Sequence, residues 1–66
     1  MSYCRTLTNA QVQNVLCDEF ERYRRFGKQG EVSEAALELY HEAREECARR
    51  GIDPNMVLID RGLRSV

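Results

Sequence analysis

Asp53-Pro54-Asn55-Met56-Val57-Leu58-Ile59-Asp60-Arg61-Gly62, written DPNMVLIDRG, decides the fold class of this chain. Its ends read as a helix and its middle as a strand. Aspartate suits an N-cap, proline the first helical position and glycine the residue just past a helix. Met56 to Ile59 is apolar throughout, which is also how a short buried strand reads. The end signals predict a short helix over about 54–61, and with it an all-α chain.

Upstream of this stretch, Gly51 is the left-handed cap of a helix predicted over about 34–50, with Ile52 folding back on Cys47 in a Schellman contact. Ser33 is its N-cap, and Val32 and Leu37 are placed as a hydrophobic staple. Glutamates fill the first turns and arginines the last, which complements the helix dipole at both ends. The polar turn GKQGEV precedes it.

Thr8-Asn9-Ala10-Gln11 has the form of a capping box, with Leu7 and Val12 as its staple. It opens a helix predicted over about 9–26 that carries Val12, Val15, Leu16, Phe20, Tyr23 and Phe26 at three- and four-residue spacing, with Gly27 as its end. Residues 1–7 read as a short lead. A short turn between two long helices predicts an antiparallel hairpin. The expected architecture is one domain: a two-helix hairpin plus a short C-terminal helix, dimerising into a four-helix bundle.

The dimer is expected because the chain is small. Its 66 residues can bury only ~60% of the surface that the unfolded chain exposes, so a staple or a partner is needed. Three cysteines, Cys4, Cys17 and Cys47, are an odd count with wide gaps and no CxxC pair, which suits neither a disulfide framework nor a zinc site. They fit reduced thiols and a cytoplasmic location, with Cys17 and Cys47 as small apolar fillers. No apolar run approaches the ~18 residues of a membrane span, and the N-terminus lacks the apolar core of a secretion signal. Ten basic against eleven acidic residues argue against a dedicated nucleic-acid binder, while leaving room for a local patch.

The segment richest in chemical groups is Tyr40 to Cys47, YHEAREEC. Counting ~100° per residue puts Ala36, Tyr40, Ala43 and Cys47 on one seam of the second helix and Glu34, Glu38, His41 and Glu45 on the other side. Glu38 with His41 forms an ExxH pair, the pattern that di-iron bundles aim inward, but this pair points away from the seam. His41 to Glu45 resembles the HExxH of zinc proteases with its second histidine replaced by glutamate, and there is no other histidine. The reading is a solvated acidic face, with no metal and no cofactor. Ser33 and Ser65 have no matched histidine, and His41 lies on the far side from Cys47, so no catalysis is expected.

The first helix holds an anomaly. Val12, Leu16, Glu19, Tyr23 and Phe26 follow the heptad spacing of a packing stripe, with a glutamate at its centre. A buried carboxylate needs a partner. The antiparallel hairpin is expected to bring Glu19 level with Ala43 and Arg44, which predicts a Glu19–Arg44 bridge, with the Tyr40 hydroxyl as second choice. Glu19 is then a register device or an anchor for a partner's arginine.

The seam of the second helix is built of small residues, and Met56, Val57, Leu58 and Ile59 are apolar on every side, with Leu63 and Val66 beyond them. One hairpin is not expected to cover all of these, and uncovered apolar surface marks an interface. The expected partner or dimer interface is therefore Glu19, Tyr23, Tyr40, Met56, Val57, Leu58, Ile59 and Leu63. The expected function is non-catalytic protein–protein interaction: a small adaptor or inhibitor docking on a larger protein, of a size common among phage and mobile-element proteins. The alternative is a dimeric nucleic-acid-binding regulator using Arg22, Arg24, Arg25 and Lys28, although Tyr23 and Phe26, interleaved with them, are expected on the buried seam.

Overall fold

A computed structural model of the chain describes residues 3–26 and 34–65. Those residues form three α-helices and no strand: α1 (Asn9–Phe26), α2 (Glu34–Arg49) and α3 (Pro54–Asp60), preceded by a 3₁₀ turn over Tyr3–Thr6. The fold is all-α. The helix ends predicted for α2 and α3 overshoot by one residue each. The turn GKQGEV, the Gly27 cap, the Ser33 cap with Val32, Lys28 and Val66 lie outside the described residues, as does the side chain of Ala36.

Among the described residues, the local signals at the start of α1, the end of α2 and both ends of α3 are met. The backbone N–H of Thr8 donates to Gln11 Oε1 at 2.9 Å and the N–H of Gln11 donates to Thr8 Oγ1 at 3.2 Å, the reciprocal pair of a capping box. Two helices end the same way. The N–H groups of Gly51 and Ile52 donate to the carbonyls of Ala48 and Cys47, and those of Gly62 and Leu63 to Ile59 and Leu58. Both are Schellman motifs, and both glycines have the positive φ that the motif requires, 78° at Gly51 and 72° at Gly62. At the start of α3, Asp53 accepts the N–H of Asn55 at 2.9 Å, with Pro54 in the first turn. These end signals outweigh the strand-like run that they enclose.

α1 and α2 pack antiparallel. Arg50 donates to Asn9 Oδ1 at 2.9 Å near one end of the pair, and the Phe20 and Tyr40 rings meet at 6.1 Å further along. The core joins residues from every element: Cys4, Val12, Leu16, Cys17, Ala43, Cys47, Val57 and Leu58. Leu7, Val15, Phe20, Leu39, Tyr40, Ile52 and Leu63 are half-buried against it. α3 packs against both α1 and α2, and the 3₁₀ turn packs against α2 near the Asn9–Arg50 end.

Two expectations change here. Residues 1–7 are more than a lead, because Cys4 is fully buried and belongs to the core. Among the described residues, the apolar C-terminal segment is largely covered by the chain's own hairpin: Val57 and Leu58 are buried, Ile59 and Leu63 half-buried, and Met56 is exposed. A two-turn amphipathic helix can do this because residues 57 and 58 point into the hairpin while 56 and 60 point away.

Candidate interaction surface

α2 presents two kinds of polar surface. Glu34, Glu38, His41 and Glu45 are exposed, as the face count predicted. Among the described residues no group of His, Cys, Asp or Glu side chains could hold a metal ion. The three thiols are free and buried. Burial raises all three above their ordinary value, and for Cys4 burial together with the Glu42 carboxylate pushes the thiol up to about 12. Such thiols stay protonated near neutral pH and are poor nucleophiles.

The side of α2 that meets the 3₁₀ turn is an ion-pair hub. Glu46 is only 6% exposed, and both of its oxygens are answered. Arg49 Nη1 donates to Oε1 at 2.9 Å and Arg50 Nε to Oε2 at 2.8 Å. Arg50 Nη1 and Nη2 then reach Asn9 Oδ1 and the carbonyls of Cys4 and Arg5. The Cys4 N–H donates to Glu42 Oε2 at 2.9 Å. One planar guanidinium thereby ties the C-terminus of α2 to the N-terminus of α1 and to the 3₁₀ turn. Sequence reasoning missed this hub. The Glu46–Arg50 spacing of four was visible, but the backbone carbonyls that complete it come from residues 4 and 5.

The other buried carboxylate is Glu19, 8% exposed. The predicted Glu19–Arg44 bridge is absent. With Asn9 across from Arg50 and Phe20 across from Tyr40, Glu19 lies level with the Tyr40–His41 turn, almost one helical turn short of Arg44. Arg44 instead donates to the Tyr40 hydroxyl at 3.1 Å and to Asn55 Oδ1 at 3.4 Å. The phenol that was the second choice accepts this bond and makes none to Glu19. Glu19 Oε1 is left with Arg22 at 3.7 Å, and Oε2 is buried with no hydrogen-bond partner. An unanswered buried acceptor costs about 1–3 kcal/mol.

The aromatic residues near Glu19 are also placed differently from the expectation. The stripe of α1 is closed at Val12 and Leu16, but Tyr23 is 47% exposed and Phe26 41%. They stand among Arg22, Arg24 and Arg25, which are all exposed. Arg22 and Arg25 pair with Glu19 and Glu21, and Arg24 donates to the carbonyl of Leu63 at 3.1 Å. Of the expected interface residues, Glu19 and Tyr23 therefore share one end of the hairpin. Tyr40, Ile59 and Leu63 are half-buried, Met56 is exposed, and Val57 and Leu58 belong to the core.

None of the helices among the described residues is long and apolar enough to cross a membrane. No family model matches the chain, and no curated protein or solved structure does either.

Proposed function

We propose that the chain is a non-catalytic protein–protein interaction module, a small adaptor or inhibitor, and that it docks through the end of the hairpin carrying Glu19, Tyr23 and Phe26. The observation that carries this reading is the buried, unanswered Oε2 of Glu19 beside two exposed aromatic rings. A folded chain gains nothing by keeping a carboxylate oxygen closed to water without a donor. A partner that brings an arginine, a lysine or a backbone N–H satisfies it, and tyrosine and phenylalanine are the side chains that anchor interfaces. A second copy of the chain supplies the same rings, and pairing two such ends gives the four-helix bundle expected from the thin core.

The test uses tagged wild type and a Tyr23→Ala/Phe26→Ala variant, captured from native lysate after nuclease treatment and weighed by sedimentation equilibrium. The reading predicts a stoichiometric protein, or a dimer, that disappears in the variant. A wild type that is monomeric and captures nothing would overturn it, as would a variant that captures the same partner as wild type.

One observation favours the nucleic-acid alternative: Tyr23 and Phe26 are exposed among the arginines rather than closed in the seam. Exposed rings within a basic cluster suit stacking on single-stranded bases. Binding of that kind weakens steeply with salt, whereas apolar docking survives it.

A further inference from the structure

Arg44 and Arg64 meet at one neutral atom. Arg44 Nη1 lies 3.4 Å from Asn55 Oδ1, and Arg64 Nη1 lies 3.0 Å from the same oxygen. Two like charges are thereby held side by side by an amide. The ion pairs among the described residues involve Arg22, Arg25, Arg49 and Arg50, so neither Arg44 nor Arg64 has a carboxylate of a described residue within 4.0 Å. The acids nearest to them along the chain, Glu45 and Asp60, form no ion pair with either, and the Asp53 carboxylate caps α3 on the backbone N–H of Asn55. Arg24 and Arg61 on the same side also rest on neutral oxygens, those of Leu63 and Asn14.

The pair is also held in place. Arg44 is half-buried, bonded to the Tyr40 hydroxyl at 3.1 Å, with its guanidinium carbon 5.7 Å from the centre of the Tyr40 ring. Each guanidinium uses only Nη1 for these contacts, which leaves the Nε and Nη2 donors of both free to turn to a ligand. Two planar forks with uncompensated charge form the donor set that recognises a tetrahedral oxyanion. A dianion neutralises both charges, whereas a carboxylate leaves one unanswered.

We propose that Arg44 and Arg64, bridged by Asn55, bind the dianionic phosphate of a phosphate monoester. The site lies on the α3 side of the hairpin and does not depend on the docking reading above. The phosphate can come from a small free ester or from a phosphorylated side chain of another protein.

The test is a titration of the isotope-labelled chain with inorganic phosphate and with phenyl phosphate at constant ionic strength, followed by amide resonances. Saturable shifts centred on residues 44, 55 and 64 are expected. Arg64→Gln removes one exposed fork without touching the core and should weaken binding roughly tenfold or more, while Arg22→Gln leaves it unchanged. A short phosphopeptide that binds much more tightly than phenyl phosphate identifies a protein source, and equal binding identifies the free ester. Shifts that do not saturate, or an unchanged affinity in folded Arg64→Gln, would overturn the proposal.

Discussion

Glu46 and Glu19 are both nearly closed to solvent and lie on neighbouring helices, yet they have opposite surroundings. Each oxygen of Glu46 meets an arginine below 3 Å, and one of those arginines ties three elements together. Glu19 has one oxygen at 3.7 Å from an exposed arginine and one with no donor. The difference follows position along the hairpin. Near the Asn9–Arg50 end, the 3₁₀ turn supplies a lid and its carbonyls complete the hub. Nothing equivalent covers Glu19 among the described residues, and the apolar stripe there gives way to exposed Tyr23 and Phe26. A buried carboxylate of the first kind is part of the chain's own stability. One of the second kind costs the isolated chain stability.

The comparison can be broken first at the core that all the elements share. Leu58 is fully buried, so Leu58→Ala should lower unfolding stability by about 3 kcal/mol in urea denaturation. Leu58→Asp should prevent folding altogether, which makes it unsuitable as a probe of an interface. The hub comes next. Glu46→Leu leaves the partly buried Arg50 without its carboxylate and should lose about 2 kcal/mol.

The lid responds to pH. The folded-state thiol of Cys4 is raised from an ordinary 9.0 to about 12. Above pH 9 the unfolded chain loses that proton while the folded chain keeps it, so the contribution is full below pH 9 and is lost as pH rises toward 12. Denaturant midpoints should fall across this window. They should fall less steeply in Cys4→Ala, with the remaining slope coming from Cys17 and Cys47, whose values are raised too. The smallest effect at this end belongs to the capping box: Thr8→Ala should cost about 1 kcal/mol, read as a drop in melting temperature.

What the sequence shows of this contrast divides along the same line. Caps and glycine stops are written within a few neighbouring positions, and Thr8, Gln11, Gly51, Asp53 and Gly62 all act as their local context predicts, whereas Tyr23 and Phe26, counted onto the seam of α1, are exposed. Glu46 looked like one more member of an acidic face, because its environment depends on residues 4 and 5, some forty positions away. Glu19 was recognisable as misplaced in its stripe. Its partner was misjudged because a register error of a few residues moves Arg44 by a helical turn. The convergence of Arg44 and Arg64 on Asn55 was invisible, since it requires α3 to be docked first.

The most direct measurement is the unfolding free energy of Glu19→Leu beside wild type. Filling the seam with an apolar side chain removes the unanswered acceptor, so the account predicts unchanged or higher stability, by up to about 1 kcal/mol. If Glu19→Leu instead loses as much as Glu46→Leu, then Glu19 is structural in its own right and the contrast between the two glutamates does not hold.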